Sequence, residues 1–394
     1  MISTKSTTAP DPSGECPSDG SDPVNRRPLR ILQVATHFPG WGGTELHLLN
    51  LSDELRRRGH DVTIAVRPGR FVEAEAQRRG FPTIEATVEH QSDHSAWRAL
   101  WTGIGHGRFD VVHAHWRQDY MLAPTIARLR GVRAIFLSHH SPHPLKKKEV
   151  PYYPRVYKRM IALSESVRQM LLGLGLPPDF VTTIHHGTDV ARFEQVTRAP
   201  SDVRAEWGVP PGAFVVGIAG RVSPEKGILD FLEAIKQMPN EPIWAVVIGD
   251  GLQMEEIKAF VTASGLQNRV RITGFLSDVN NAINALDALI LASTWAEPCA
   301  AVVQQAMALS KPVIGTRIGG TPEMIADKET GLLVAPGTPD EIAAALRTLM
   351  HDSTLRECMG CAGHERVHRL FTQQVMVNKI ENLYLASTAR TVRS

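Results

Sequence analysis

Residues 30–66 of the chain read RILQVATHFPGWGGTELHLLNLSDELRRRGHDVTIAV. The apolar run RILQVA predicts a buried strand, and a glycine-rich turn follows it. Leu48, Leu51 and Leu55 then recur at helical spacing until Gly59 stops the helix, and DVTIAV predicts a second strand. Because apolar strands that alternate with helices form parallel sheets covered on both faces, this stretch predicts an α/β fold.

The alternation continues along the chain and restarts once. Further strands are predicted from DVVHAH, RAIFLS, MIALS and FVTTIHH, until Pro, Gly and charge replace the alternation at residues 187–212. Beyond that junction AFVVGIAG, WAVVIG, VRITG, ALILAS, PVIGT and GLLVA predict a second set of strands. Two such units predict two Rossmann-like doubly wound domains facing a central cleft, where ligands bind beyond the C-terminal ends of the strands.

Length and composition limit the classes of protein that the chain can represent. Its 394 residues suit two domains, and 43% hydrophobic with 21% charged residues is a globular balance. A formal net charge of +2 gives no electrostatic basis for nucleic-acid binding. No apolar run reaches the roughly 18 residues of a membrane span, and the Ser- and Pro-rich start lacks a signal-peptide core, so a cytoplasmic location is expected.

Candidate ligand-binding residues follow the predicted strands. Gly42 and Gly43, after Gly40, open the first helix, where backbone N–H groups could approach an anion. Arg221 and Lys226 lie five residues apart after the strand AFVVGIAG and suit a diphosphate. The sequence lacks an Asp-x-Asp pair, the commonest short clamp for a metal–diphosphate complex. Protein cations and helix dipoles are therefore expected to hold a diphosphate without a metal.

A carboxylate and an amide flank the start of a later helix. Glu297 follows the strand ALILAS, and Gln305 lies one turn into AAVVQQAMAL, whose first residues would present free N–H groups to the cleft. Gln304 is turned from Gln305 by about 100° on the helix, so both amides cannot face one ligand. The alternative is that Glu297 only caps the helix and that Gln305 is a surface residue.

From about Arg30 onward the chain resembles the family 4 glycosyltransferases of the GT-B fold. The resemblance rests on the first glycine turn and helix, on ALSESVRQML, IHHGTDVARF and GIAGRVSPEKG, and on EPCAAVVQQAMALSKPVIGT with GGTPEMI and ETGLLV. We accordingly expect a disordered tail (1–27), an N-terminal Rossmann-like acceptor-side domain (28–205), a C-terminal Rossmann-like nucleotide-sugar-binding domain (206–370) and a C-terminal helix crossing back to the first domain (371–394).

The resemblance implies a role for several candidates. Arg221 and Lys226 would hold the diphosphate of a nucleotide-sugar, and Glu297 would contact hydroxyls of the donor sugar. His139 would lie beside the reacting centre, with His140 as the alternative one residue away. The implied activity is retaining hexosyl transfer from a nucleotide-diphosphate donor, UDP in preference to GDP, to a small-molecule, glycan or lipid-linked acceptor, without a metal or other cofactor.

The sequence departs from the family pattern at three positions. Gln305 stands where the family usually has a glutamate that accepts hydrogen bonds from the ribose, and Ala300 and Ser310 replace common glycines. The departures leave open a nucleotide-sugar-binding homologue without turnover. A second alternative is a nucleotide-sugar epimerase of the same fold, which would need acid/base carboxylates in the cleft. The remaining donor-binding candidates are Gly42, Gly43, Gly220, Thr273, Gly274, Ala301 and Val302.

Two further segments suggest other ligands. The groups His113 with His115, and His139 with His140 and His143, could hold a metal, but neither spacing matches a zinc pattern, so no metal site is predicted. The stretch LKKKEVPYYPRVYKR at 145–159 interleaves basic residues with three tyrosines. A solvated basic face is expected there, with peripheral contact to anionic lipid at the inner membrane face, or to an anionic acceptor, as the alternative.

Overall fold

The computed structural model describes residues 27–37, 42–90 and 93–389. The predicted tail apart from Arg27, and the turn residue Gly40, lie outside the described residues. Within the described ranges the chain forms two parallel sheets covered by helices, which confirms the two predicted Rossmann-like α/β units.

Seven strands form the first sheet, namely β1 (Arg30–Ala35), β2 (Asp61–Val66), β3 (Thr83–Glu85), β4 (Val111–Ala114), β5 (Ala134–His139), β6 (Arg159–Ala162) and β7 (Val181–Thr183). Their order is β3-β2-β1-β4-β5-β6-β7, and every pair is parallel. The edge strand β3 was not predicted, because three residues are too short to show an alternation.

Six strands form the second sheet, namely β8 (Phe214–Ala219), β9 (Ile243–Ile248), β10 (Val270–Gly274), β11 (Ala288–Leu291), β12 (Val313–Thr316) and β13 (Gly331–Val334). Their order is β10-β9-β8-β11-β12-β13, again all parallel. This is the strand order of a dinucleotide-binding fold, in which the crevice lies where the order reverses, between β8 and β11.

The helices cover both faces of each sheet. In the first half they are α1 (Gly43–Arg57), α2 (Phe71–Arg78), α3 (His94–Gly107), α4 (Leu122–Leu129), α5 (Tyr153–Val156), α6 (Glu165–Gly173), α7 (Val190–Phe193) and α8 (Pro200–Glu206). In the second half they are α9 (Ile228–Lys236), α10 (Met254–Ala263), α11 (Val279–Asn284), α12 (Ala301–Ala308), α13 (Thr321–Met324), α14 (Pro339–His351), α15 (Ser353–Leu370) and α16 (Gln373–Thr388). Short 3-10 helices span Arg117–Tyr120, Lys147–Tyr152 and Pro224–Lys226.

The chain crosses between the two sheets near residue 190 and returns with its last helix. Val190, Val203 and Trp207 pack into the core of the second sheet, although the predicted boundary at 205/206 assigns the first two to the first domain. Helix α16 packs on α1, and Tyr384 is fully buried in the core of the first sheet. Buried apolar side chains therefore hold the crossing segment against the second sheet and the last helix against the first sheet.

The basic segment 145–159 lies on the first domain. Lys146 to Lys148 are exposed, but Tyr153 and Tyr157 are buried in the core, and the Tyr157 hydroxyl donates to the Tyr120 carbonyl at 2.6 Å. The interleaved pattern is therefore a basic surface whose tyrosines point inward. None of the described helices is long and apolar enough to cross a bilayer.

Ser310 occupies the turn that ends α12 with a backbone angle that favours glycine. Its φ is 53°, and the Lys311 N–H bonds the Ala306 carbonyl at 2.8 Å, as in the common glycine-terminated helix end. Because a side chain in this region costs about 1 kcal/mol, we expect Ser310→Gly to raise the free energy of unfolding by roughly 0.5–1 kcal/mol. Urea unfolding measures this. Ser310→Ala is the control and should give no gain; equal stability of the two variants would contradict the assignment.

Candidate active site

The centre of the candidate site is an ion pair between two predicted residues. Lys226 Nζ lies 2.8 Å from Glu297 Oε2, and both side chains are about one-fifth exposed (23% and 19%). The Ser293 hydroxyl donates to the other oxygen of Glu297. A half-buried cation and carboxylate thus lie side by side beyond the C-terminal ends of β8 and β11, at the crevice that the strand order predicts.

The backbone around Lys226 holds this arrangement. Lys226 ends the 3-10 helix Pro224–Lys226, and Gly227 follows with a φ of 65°. A Cβ on Gly227 would lie 2.0 Å from the carbonyl oxygen of Ala292, so only glycine lets the turn approach the end of β11. The Thr294 N–H donates to the Glu225 carbonyl at 3.0 Å and ties the two loops together.

Arg221, the second predicted cation, is close to the first. It lines a small pocket together with Gly220, Lys226 and residues of β8 and β9. The side chain is exposed, and among the described residues its guanidinium forms no hydrogen bond or ion pair. Its positive field helps to lower the pKa of Glu225, although the Ser223 hydroxyl has the larger effect. Arg221 is therefore available to an anion that enters the crevice.

Three strand ends approach closely beside these cations. A Cβ on Gly249 would lie 1.8 Å from the Gly220 carbonyl oxygen, so the loops after β8 and β9 are in backbone contact. The Gly249 N–H donates to the Gly274 carbonyl at 2.9 Å, and the Thr273 hydroxyl donates to the same oxygen at 2.9 Å. Backbone contacts through Gly249 thus link the loop at Gly220 to Thr273 and Gly274.

Helix α12 begins at Ala301, four residues after Glu297, and its two glutamines point in different directions. Ala300 is buried at the N-cap, Ala301 is exposed and Val302 is half-buried. Gln304 is fully buried, and its Nε2 donates to the His186 carbonyl at 2.7 Å. Gln305 is half-buried and makes no side-chain hydrogen bond within the described part of the chain. The two amides therefore point in different directions, as predicted. Gln304 is hydrogen-bonded, whereas Gln305 has no partner among the described residues.

Side chains of α12 and α13 form hydrogen bonds with the first domain. Gln304 reaches His186, and Glu323 on α13 accepts from the N–H groups of Glu165 and Ser166 at the start of α6, at 2.6 and 2.9 Å. His185 Nε2 lies 2.8 Å from Glu323 as well. Burial alone would raise the pKa of Glu323, but the bonds from His185 and the two N–H groups keep the pKa below its usual value. Glu323 is therefore a charged side chain whose hydrogen bonds join the second domain to the first.

His139, the predicted catalytic histidine, has both ring nitrogens engaged inside the first domain. Nε2 lies 3.0 Å from the His143 carbonyl, and Nδ1 lies 3.4 Å from the Tyr120 hydroxyl. Burial lowers the pKa of His139 to about 4. Contact with a donor would require the bond to His143 to open. The alternative, His140, turns its Nε2 toward His115 Nδ1 at 3.4 Å.

The glycine turn of the first domain carries an acid that the sequence analysis did not single out. Gly42 is the N-cap of α1, and a Cβ on it would lie 2.8 Å from Glu45 Oε2, while Gly43 faces open space. Glu45 is 5% exposed, and burial raises the pKa of its carboxyl group. The sequence signal for Glu45 is its position in the first turn of a helix that follows a glycine pair.

A second acid lies at the same edge of the first sheet. Asp119 is 1% exposed, accepts from the Thr36 hydroxyl beyond β1, and has a pKa raised to about 7 by burial. Its signal in the sequence is a lone carboxylate soon after a predicted strand, which is too common to select it. Asp119 and Glu45 therefore come from the structure alone.

Two family profiles match the chain in succession. The profile described as "Glycosyltransferase Family 4" matches residues 41–192, and the one described as "Glycosyl transferases group 1" matches residues 201–366. The two matches therefore include every strand except β1, as well as Arg221, Lys226, Glu297 and Gln305.

Relatives match over nearly their whole length. Lipopolysaccharide core biosynthesis glycosyltransferase LpsD of Rhizobium meliloti (strain 1021) is 26% identical over 366 residues, covering 92% of this chain and 100% of LpsD. D-inositol 3-phosphate glycosyltransferase of Corynebacterium diphtheriae is 26% identical over 410 residues, covering 90% of this chain and 94% of that enzyme.

Solved structures share the fold. Anabaena HepE in complex with UDP superposes with a TM-score of 0.79 at 23% identity, covering 89% of this chain and 98% of HepE. A glycosyltransferase from Rickettsia africae ESF-5 superposes with a TM-score of 0.84 at 21% identity, covering 93% of this chain and all (100%) of that protein. With the two family profiles, these likenesses lead to one conclusion: the chain belongs to family 4 of the glycosyltransferases and has the GT-B fold.

Proposed function

We propose that the chain is a retaining glycosyltransferase that moves a sugar from a UDP-sugar, in preference to a GDP-sugar, to an acceptor hydroxyl. The observation that carries the proposal is the pairing of Lys226 with Glu297, next to Arg221, whose guanidinium has no partner among the described residues, and shortly before α12. Such a site offers two cations to a diphosphate and one acceptor of hydrogen bonds to a sugar.

The chemistry follows from where charge develops. The bond from the anomeric carbon to the diphosphate oxygen breaks, and the acceptor oxygen forms the new bond on the same face of the sugar. The acceptor's proton goes to an oxygen of the leaving phosphate. Arg221, Lys226 and the N–H groups at the start of α12 stabilise the negative charge that builds on that phosphate. We accordingly propose that the transfer step needs no divalent ion.

The neighbours support a UDP-sugar donor. HepE structures with UDP, with UDP and glucose, and with UDP-glucose superpose on this chain with TM-scores of 0.79, 0.76 and 0.76. The names of the relatives suggest two classes of acceptor. LpsD is named for the lipopolysaccharide core, and the corynebacterial enzyme is named for D-inositol 3-phosphate. We propose a glycan or lipid-linked acceptor, in line with LpsD, and a cytoplasmic location. For the basic surface at 145–159 we propose a solvated face, with contact to anionic lipid as the alternative.

Gln305 gives a prediction about the nucleotide. An amide oxygen accepts a hydrogen bond worth about 0.5–1.5 kcal/mol, whereas a carboxylate in its place accepts charge-assisted bonds worth about 1.5–3 kcal/mol. We expect Gln305→Glu to tighten UDP binding by up to about tenfold and Gln305→Ala to weaken it by several-fold. Calorimetric titration with UDP measures both. Unchanged affinity in both variants would show that Gln305 does not contact the ribose.

The donor can be identified by binding and the reaction by its product. Thermal-shift screening with UDP-, GDP- and ADP-sugars should show stabilisation by a UDP-sugar, because a ligand at 100 times its dissociation constant adds about 2.7 kcal/mol to the folded state. Incubation of that donor with lipopolysaccharide-core fragments, followed by NMR of the product, should show retained anomeric configuration. Stabilisation by GDP-sugars alone, or inversion, would contradict the proposal.

Conversion of the donor to an epimer without any acceptor would instead indicate the epimerase alternative. The non-catalytic alternative requires binding without either transfer or hydrolysis of the donor. Analysis of the products therefore distinguishes a transferase, an epimerase and a protein that binds the donor without turnover.

A further inference from the structure

Three histidines from separate segments converge at the C-terminal edge of the first sheet. His47 lies on α1, His115 follows β4 and His140 follows β5. Their candidate ligand atoms all lie within 4.8 Å of one another. His47 is 4% exposed and His115 is fully buried, while His140 is half-buried. Neither histidine group seen in the sequence contains His47, because the fold alone brings α1 to this edge.

One distance between two nitrogens of this cluster is the distance expected for two ligands of the same metal ion. His115 Nδ1 and His140 Nε2 are 3.4 Å apart. Zinc–nitrogen bonds of about 2.0–2.1 Å at tetrahedral angles separate two ligand nitrogens by about 3.3–3.4 Å. The two imidazoles are thus already at the spacing of two ligands on one ion.

The other nitrogen of His115 has the partner that a metal-bound histidine usually has. His115 Nε2 lies 2.7 Å from Gln33 Oε1, an oxygen that can only accept, so Nε2 carries the hydrogen. The lone pair of His115 is then on Nδ1, the atom that faces His140. Such outer hydrogen bonds orient the ring and select the metal-binding nitrogen.

His47 supplies an independent observation. Among the described residues neither of its ring nitrogens has a hydrogen-bond partner, although the side chain is almost fully buried. The rings of His140 and His186 lie against it with centroids 4.9 Å away, and that of His115 at 5.7 Å. A buried polar group without a partner is uncommon and unfavourable, and a bound ion would give His47 the partner it lacks.

We propose that His47, His115 and His140 bind one Zn²⁺ ion that cross-links α1 to the loops after β4 and β5. Three imidazole nitrogens favour zinc over magnesium, which prefers oxygen ligands, and leave a fourth position for water. All three ligands belong to the first sheet, whereas Arg221, Lys226 and Glu297 follow strands of the second. The ion would therefore be held by side chains of the first domain alone, and it goes beyond the proposed transfer reaction.

The chain carries its own control cluster. His364 and His368, one turn apart on α15, both lie within 3 Å of Glu194 Oε1, at 2.9 and 2.7 Å. These three side chains also could hold a metal, but they are 35–43% exposed and already partnered with one another. A variant with both histidines changed to alanine removes this surface cluster and leaves the buried one intact.

Metal analysis of the full chain, without an affinity tag, tests the proposal. Protein equilibrated with ZnCl₂ and freed of loose metal by gel filtration should contain about one zinc per chain. His47→Leu should lower that content to near zero while keeping the stability of the metal-free protein, because it removes a buried, unpartnered polar side chain. His140→Gln should also lose the ion, and the double variant His364→Ala with His368→Ala should retain it.

A second readout separates a ligand from a structural residue. Co²⁺ in the metal-free protein should give the strong visible absorption of a tetrahedral site, and His47→Leu should abolish it. Zinc content that falls only in the His364/His368 variant, or that is unchanged by His47→Leu, would overturn the proposal, as would the absence of zinc from the wild type. None of these readouts depends on glycosyl transfer, so they can fail independently of the proposed reaction.

Discussion

Replacing Lys226 by alanine is expected to lower kcat/KM for sugar transfer by about 10²–10³-fold, the usual effect of removing one donor that stabilises a developing oxyanion. The ammonium group is half-buried and fixed 2.8 Å from Glu297, so its charge is oriented before the donor binds. Without it, Glu297 loses its partner, and in the proposed mechanism the leaving diphosphate loses one of its two cations. Steady-state kinetics with the donor identified by thermal shift measure the change.

The matched control for Lys226 is Lys236 in the same domain. Lys236 is exposed, pairs with Glu233 on α9 and lies away from the crevice, so Lys236→Ala should leave kcat/KM within about twofold of wild type. Lys226→Arg should retain part of the activity, because it keeps the charge but changes its geometry. Wild-type kinetics in Lys226→Ala would remove Lys226 from the site.

Replacing Tyr384 by alanine is expected to lower the free energy of unfolding by about 3–5 kcal/mol, the usual cost of truncating a buried aromatic side chain. The ring is fully buried against Phe136, with centroids 5.0 Å apart, and its hydroxyl lies 2.6 Å from His113 Nδ1. The large effect would show that the last helix is an integral part of the first domain's core. Urea unfolding followed by circular dichroism measures it.

Tyr384→Phe serves as the control for ring packing. It keeps the ring and removes the hydroxyl group, including its hydrogen bond to His113, which should cost about 1 kcal/mol. A loss below about 1 kcal/mol in Tyr384→Ala would indicate that α16 is not held against the first domain in solution.

The alternation of strands and helices could be predicted from the sequence because both sheets are parallel. A strand buried on both faces is mostly apolar, so RILQVA and DVTIAV are visible as runs, and their bounds match β1 and β2. The three-residue strand β3 has too little pattern to predict. Tyr153 and Tyr157 were read as part of a basic surface because a short segment without regular periodicity does not reveal which side chains point inward.

The residues of the candidate site could be selected from the sequence, but the contacts between their side chains could not. Arg221, Lys226 and Glu297 could be selected because each follows a strand end, where parallel sheets bind ligands. Their pairing depends on how Gly227 packs against Ala292, a contact between segments far apart in the sequence. His47 could not be selected at all, since a histidine in an apolar helix is indistinguishable from one that packs in a core.

The most direct test of the account is the dependence of transfer on divalent ions. Initial rates should be measured in metal-depleted buffer with and without added Mg²⁺ or Mn²⁺, using protein of known zinc content so that a stripped histidine site does not alter the result. We predict equal rates, because in the proposed mechanism Arg221, Lys226 and the start of α12 neutralise the leaving diphosphate. A rate that rises more than about tenfold with Mg²⁺ or Mn²⁺ would mean that a metal ion carries that charge and would contradict the account.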